Sequence, residues 1–223
     1  MTRVIAMIPA RLGSQRLKQK NLLEIGGVPM IVRAMRKAAA LSCFDEVWVN
    51  SESDVFGDLA EAEGIPFHKR PAELGGNEAT SEHFVHEFLT VHPCDYLVQV
   101  HSIAPLVSSP EIVAFTEALL GGAHDTLLSG VNEQIQCMMA GKPLNFSFEL
   151  MDATQILEPL QRISWSLTGW NAKSYVETFE KGGCATFHGR VGFFPLSRPA
   201  GMVVKVDEDY RIVKALAEAG FGA

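Results

Sequence analysis

Residues 4–23 read VIAMIPARLGSQRLKQKNLL, and the parsing of this stretch decides the fold. Arg3–Ile8 reads as a strand, an apolar run suited to burial on both faces. After Pro9-Ala10, the thirteen residues Arg11–Leu23 place Arg11, Arg16, Lys18 and Lys20 around Gly13 and Ser14. Gly26-Gly27-Val28-Pro29 follows and opens a helical pattern. A strand running into a cationic loop and then a helix begins an open α/β sheet, and such sheets bind ligands beyond the carboxyl ends of their strands. Glycine lets the backbone approach a phosphate, free N–H groups point at it, and cations neutralise it. On spacing alone, the alternative is a solvated basic turn.

Working outward, strand and helix patterns alternate. Pro29–Leu41 is read as a helix, Glu46–Asn50 as a strand, and Asp54–Glu63 as a helix closed by Gly64. Pro66–His68 is a short strand, and Thr80 or Ser81 caps a helix reaching about Val91. Tyr96–Val100 is a strand, Pro110–Leu120 a helix, and Thr126–Val131 a strand. The alternation predicts an α/β fold with a doubly wound, mostly parallel sheet, in a single domain over residues 1–223. From residue 132 to about residue 170 the alternation stops, and Met138-Met139, Phe146, Phe148 and Trp165 suggest a small inserted subdomain with apolar surface suited to a dimer contact. Ala172–Val176, Arg190–Leu196 and Met202–Val206 return to strand character before a closing helix, Glu208–Ala219. No internal repeat or low-complexity segment interrupts the chain.

Size and composition narrow the function classes. The chain has 223 residues, 47% hydrophobic and 20% charged, which is ordinary for a folded soluble protein. A net charge of -7 argues against general nucleic-acid binding, because a polyanion is repelled outside local basic spots. No apolar stretch reaches membrane-spanning length, so no membrane partner is expected. Met1-Thr2-Arg3 passes directly into a strand, without a secretory pattern. Cys43, Cys94, Cys137 and Cys184 stand far apart, which suits reduced thiols and a cytoplasmic protein. The first loop lacks GxGxxG and the chain has no GxSxG, which disfavours a dinucleotide-dependent dehydrogenase and a serine hydrolase.

The segment Ile8-Pro9-Ala10-Arg11-Leu12-Gly13-Ser14, with Lys20-Asn21-Leu22 downstream, resembles the signature of sugar-activating nucleotidyltransferases. The form is closest to the acylneuraminate (CMP-sialic acid synthetase-like) cytidylyltransferases, which activate keto-deoxy sugar acids. Cys43–Val49, Arg70-Pro71-Ala72-Glu73-Leu74, Ala104-Pro105-Leu106 and Val204-Lys205-Val206-Asp207 are similar to further family segments in the same order. The resemblance implies a Rossmann-like nucleotidyltransferase fold and a homodimer whose inserted segment reaches the partner. The implied reaction joins CTP and a sugar acid to give a CMP-sugar and pyrophosphate, with Mg²⁺ as cofactor. A catalytically impaired nucleotide-binding relative, or a transferase with another base or sugar preference, is the alternative.

The resemblance also assigns roles. Arg11 and Lys20 fall at phosphate-contacting positions, Ala10, Gly13 and Ser14 at nucleotide-binding ones, and Asn21 at one that orients the α-phosphate or sugar. Gln15 stands where the family has a lysine. Ala79 and Ser81 fall where cytosine is read, although Ser81 also suits a helix N-cap. His101 replaces a glutamine, and is either a nucleotide contact or a loop histidine satisfied by backbone. Arg70 either serves the site or tethers its loop through Glu73. His83 and His86 are read as helix-surface histidines. Asp207 matches the second acid of a metal-holding pair and is also placed to cap the last helix. Lys205 occupies the place of the first acid, so either Asp207 holds Mg²⁺ alone or Lys205 supplies positive charge itself. Around the expected sugar pocket Arg162 is the one cation, and Trp165 and Trp170 either stack on a sugar or belong to the core.

Overall fold

The first strand, β1 (Val4–Pro9), feeds two cores at once. Val4, Ala6 and Ile8 point into one apolar cluster, and Ile5 and Met7 into another, as the two-residue period of a strand dictates. The computed structural model describes residues 2–76, 78–151 and 153–222. After β1 come the short hairpin β2 (Glu24–Ile25) and β3 (Val28–Pro29), then α1 (Met30–Ala39), β4 (Glu46–Ser51), α2 (Asp54–Ala62) and β5 (Phe67–Lys69). The chain continues through α3 (Ser81–Val91), β6 (Tyr96–Val100), α4 (Ser109–Leu120) and β7 (Thr126–Glu133). A second hairpin, β8 (Met138–Met139) and β9 (Lys142–Pro143), leads to β10 (Leu160–Asn171), α5 (Ala172–Glu180), β11 (Val191–Pro195) and α6 (Asp207–Glu218).

Seven strands form the central sheet in the order β11-β7-β10-β6-β1-β4-β5. The pairings β1–β4, β1–β6, β4–β5 and β7–β11 are parallel, and only the two made by β10 are antiparallel. The sheet is therefore mixed and mostly parallel. Residues of α1, α2 and α4, such as Met35, Phe56 and Phe115, pack with one cluster, and Phe88 of α3 and Tyr175 of α5 with the other. Helices thus cover both faces, as a sheet apolar on both sides requires. A third cluster joins Val204 and Val213 to Ile25 and Met30, with Leu17 and Leu23 packed against it. It seats α6 beside the cationic loop, and the Tyr210 hydroxyl donates to the Glu24 carbonyl at 2.6 Å.

Three sequence expectations differ from the structure. Leu160–Asn171, expected inside the insert, is a twelve-residue strand of the main sheet, paired with both β6 and β7. Its alternation is broken by a register shift between Ile163 and Thr168, where Trp165 adopts φ 60°, and this hid the strand. Ala172–Val176 is helical rather than extended: the Asn171 side chain accepts the Ser174 N–H as an N-cap, and Ala172 and Tyr175 bury one face. Met202–Val206 forms no ladder; its contact with the sheet region is the Val204 N–H donating to the Ile103 carbonyl at 2.8 Å.

Candidate functional site

The carboxyl ends of β1 and β6 frame a cavity of about 170 Å³. Ala10 and Arg11 enter it from the end of β1, Lys20 and Asn21 from the short 3-10 turn Lys20–Leu22, and His101 and Ser102 from the end of β6. Thus six residues singled out from the sequence line the cavity: Ala10, Arg11, Lys20, Asn21, Arg70 and His101. Gly13 and Ser14 belong to the loop but do not line the cavity; the Ser14 N–H turns back to the Leu12 carbonyl at 2.9 Å. Ala79 precedes α3 and Ser81 opens it, and neither lines the cavity, whereas Phe84, one turn further along α3, does.

Asn21 is buried and committed at both ends of its amide. Its Nδ2 donates to the Arg11 carbonyl at 3.1 Å, and its Oδ1 accepts the Ser102 hydroxyl at 2.9 Å. It ties the loop after β1 to the loop after β6, so it sets the spacing of the cations. Lys20 is half-buried, and burial together with the neighbouring charges of Arg16, Arg11 and Lys205 holds its ammonium below the ordinary lysine range.

Behind this wall lies a polar support that sequence reasoning read differently. Arg70 is buried beneath the loop, where its guanidinium donates to Asn50 Oδ1 at 2.9 Å, the Ala10 carbonyl at 2.8 Å and Glu52 Oε2 at 2.8 Å. Its partner is Glu52 rather than Glu73. Glu52 also accepts the Leu12 N–H at 2.9 Å, so one carboxylate clamps the loop from below. Burial would raise this carboxyl, but the Leu12 and Glu52 N–H groups and Arg70 outweigh it and hold it below the ordinary value. The Arg70 guanidinium also lies 4.6 Å from the Phe84 ring centroid. Asn50, Glu52, Phe84 and Ser102 were not singled out in the sequence. Asn50 and Ser51 end β4 and Glu52 follows it, and the rule that ligands gather at strand carboxyl ends was the available signal.

His101 donates its backbone N–H to the Ser166 carbonyl at 3.2 Å, while its ring Nε2 is enclosed without a protein partner. Burial and the Lys20 charge push its pKa down to about 4, so the ring is neutral near pH 7. The unfolded chain takes up this proton below its ordinary value near 6.5, while the folded chain does so only near 4. Stability is therefore lost as pH falls through that window. Between pH 7 and pH 5 His101 is expected to contribute about 1–2 kcal/mol of acid destabilisation. Urea denaturation of His101→Gln should show that much less loss than the unsubstituted protein, and equal losses would refute it.

The remaining expected residues lie apart. Asp207 is the first residue of α6, its side chain 58% exposed and paired with Arg211 at 2.8 Å. The N-cap of α6 is Val206 rather than Asp207, and from the third helical position Asp209 Oδ2 accepts the N–H groups of Lys205 and Val206 at 2.8 and 3.0 Å. His83 accepts the Thr80 N–H at 3.2 Å in a capping arrangement, and His86 stacks on Phe179 at 4.3 Å. Trp170 is a core residue whose Nε1 donates to the Thr186 carbonyl at 3.1 Å, whereas Trp165 is half-exposed beside Phe187. Among the described residues no three His, Cys, Asp or Glu side chains converge as metal ligands, and no helix is long and apolar enough to cross a membrane. Asp207 would therefore hold Mg²⁺ only as a single carboxylate, sharing the ion with water and substrate phosphates.

The architecture is that of the Rossmann-like nucleotidyltransferases. It superposes on CMP:2-keto-3-deoxy-manno-octonic acid synthetase complexed with CTP (TM-score 0.71, 15% identity, 98% of this chain and 99% of that one). It superposes similarly on 4-diphosphocytidyl-2C-methyl-D-erythritol synthase from Anaerococcus prevotii (TM-score 0.70, 12% identity, 97% and 99%). The cytidylyltransferase family profile matches residues 5–146, and the chain belongs to that family. An N-acylneuraminate cytidylyltransferase from Escherichia coli is 27% identical over 183 residues, covering 81% of this chain and 41% of the relative. One from Streptococcus agalactiae is 32% identical over 108 residues, covering 48% and 25%. The chain thus spans less than half the length of these relatives.

Proposed function

We propose that the chain transfers a cytidylyl group from CTP to a hydroxyl of a keto-deoxy sugar acid. The hydroxyl oxygen forms a bond to the α-phosphorus, the bond to the bridging oxygen breaks, and pyrophosphate leaves while the hydroxyl proton is released. The charge that develops on phosphate oxygens needs preorganised cations and donors. The observation that carries the reading is the convergence of Arg11, Lys20 and Asn21 on one cavity at the carboxyl end of β1, in a member of the cytidylyltransferase family. Arg11 and Lys20 would face the phosphates, Asn21 would space them, and neutral His101 would offer a hydrogen bond to base or sugar.

A second copy of the chain would cover the exposed Met139, Phe148, Leu150, Met151 and Ile156, giving a homodimer. The relatives' names support a nonulosonate or octulosonate as acceptor. The test is pyrophosphate release with CTP, UTP, GTP or ATP against a panel of such acids, beside melting shifts with each nucleotide. CTP-selective shifts with release are the expected result. Equal shifts for all four nucleotides would overturn the base assignment. CTP binding without release from any acceptor would favour the impaired relative.

A further inference from the structure

We propose that Lys205 brings to the nucleotide's phosphates the positive charge that a protein-held divalent cation would otherwise supply, so that CTP binds without a metal. The inference rests on the cytidylyltransferase reading and concerns how that site is charged. Its basis is the packing of the segment before α6. Val204 is pinned to Ile103, a residue of the cavity wall, by the 2.8 Å backbone bond. Val204 also shares an apolar cluster with Leu17 and Leu23, which flank Lys18 and Lys20. Lys205 is therefore held next to the cationic loop, and its backbone is fixed by Asp209 rather than left free. Lys205 lines a separate cavity of about 260 Å³ together with Arg162, Met202 and Asp209.

The charge balance points the same way. Among the described residues, Arg11, Arg16, Lys20 and Lys205 make no ion pair with a carboxylate, although surface cations elsewhere in the fold commonly do. Asp207 is turned to Arg211, and Glu52 to Arg70 and the Leu12 N–H. Unpaired like charges gathered around Lys20 repel one another, and a polyanion is the ligand that relieves them. A lysine at this place also removes the electrostatic reason for Mg²⁺ to settle beside Asp207, because it repels the ion.

Calorimetric titration with CTP, in EDTA and in excess Mg²⁺, tests this without relying on turnover. In the unsubstituted protein the two dissociation constants should agree within about threefold. Lys205→Asp should bind roughly tenfold more weakly in EDTA and recover with Mg²⁺. Lys205→Arg should behave like the unsubstituted protein. Lys181→Asp, a charge reversal at the exposed C-cap of α5, controls for net charge. If the unsubstituted protein binds CTP only with Mg²⁺, or if Lys205→Asp and Lys181→Asp behave alike, the inference is wrong while the transferase reading stands. If no nucleotide binds under either condition, the transferase reading fails and takes the inference with it.

Discussion

Lys20→Ala should lower kcat/KM for CTP by roughly 10²–10³-fold, the usual consequence of losing one preorganised donor at a site of developing charge. The same substitution should leave stability unchanged or slightly raised. The Lys20 ammonium is held below its ordinary range by burial and by Arg16, Arg11 and Lys205, so its charge opposes folding. Removing it relieves that cost. Loss of transfer without loss of stability is the signature of a residue kept for binding rather than for structure. Steady-state kinetics and urea denaturation on the same preparations check the pair of effects. A parallel fall in both would mean that Lys20 is a structural residue.

Arg70→Ala is expected to lower unfolding stability by about 3–5 kcal/mol, the range for breaking one side of a buried ion pair. The substitution leaves Glu52 with the Leu12 N–H but no cation, and strips donors from Asn50 Oδ1 and the Ala10 carbonyl. It also removes the guanidinium from the Phe84 ring. The Arg11–Ser14 loop loses its lower clamp, so CTP affinity should fall even though the Arg70 Nη atoms are already committed to protein acceptors. Arg70→Lys should recover only part of the stability, because a point charge cannot serve three acceptors in a plane. A stability loss below about 1 kcal/mol for Arg70→Ala would show that water replaces the guanidinium without penalty.

Most of the fold was legible because its elements carry their own periods. Residues 4–8 alternate between two cores, α1 buries Met30, Ile31, Ala34, Met35 and Ala38 along one stripe, and Gly64 at φ 68° stops the chain after α2. Tyr96–Val100 could be bounded to the residue for the same reason. β10 was not legible, because its bulge at Trp165 breaks the two-residue rhythm in mid-strand. Ala172–Val176 is short and contains aromatic and β-branched residues, and only the full run to Glu180 shows the helical stripe. In the site, residues of the cationic loop were found by their spacing, and Arg70 and His101 through the family resemblance. Glu52, Ser102 and Phe84 come from separate elements and meet the loop only in the folded chain, so no local spacing announces them. The partner of Arg70 was misassigned for the same reason: Glu73 is near in sequence, whereas Glu52 is near in space.

The place of β10 between β6 and β7 has a consequence for the order of assembly. During synthesis both flanking strands emerge well before the strand that joins them. Until residue 171 is free of the ribosome, β6 and β7 each present an open hydrogen-bonding edge lined by apolar side chains. Such edges invite pairing with other nascent chains. The sheet is therefore sealed late, by a long-range insertion rather than by adding strands outward, and long-range pairing of this kind slows folding. Substitutions around the bulge at Trp165 would then act first on the yield of folded protein, before any effect on the finished sheet.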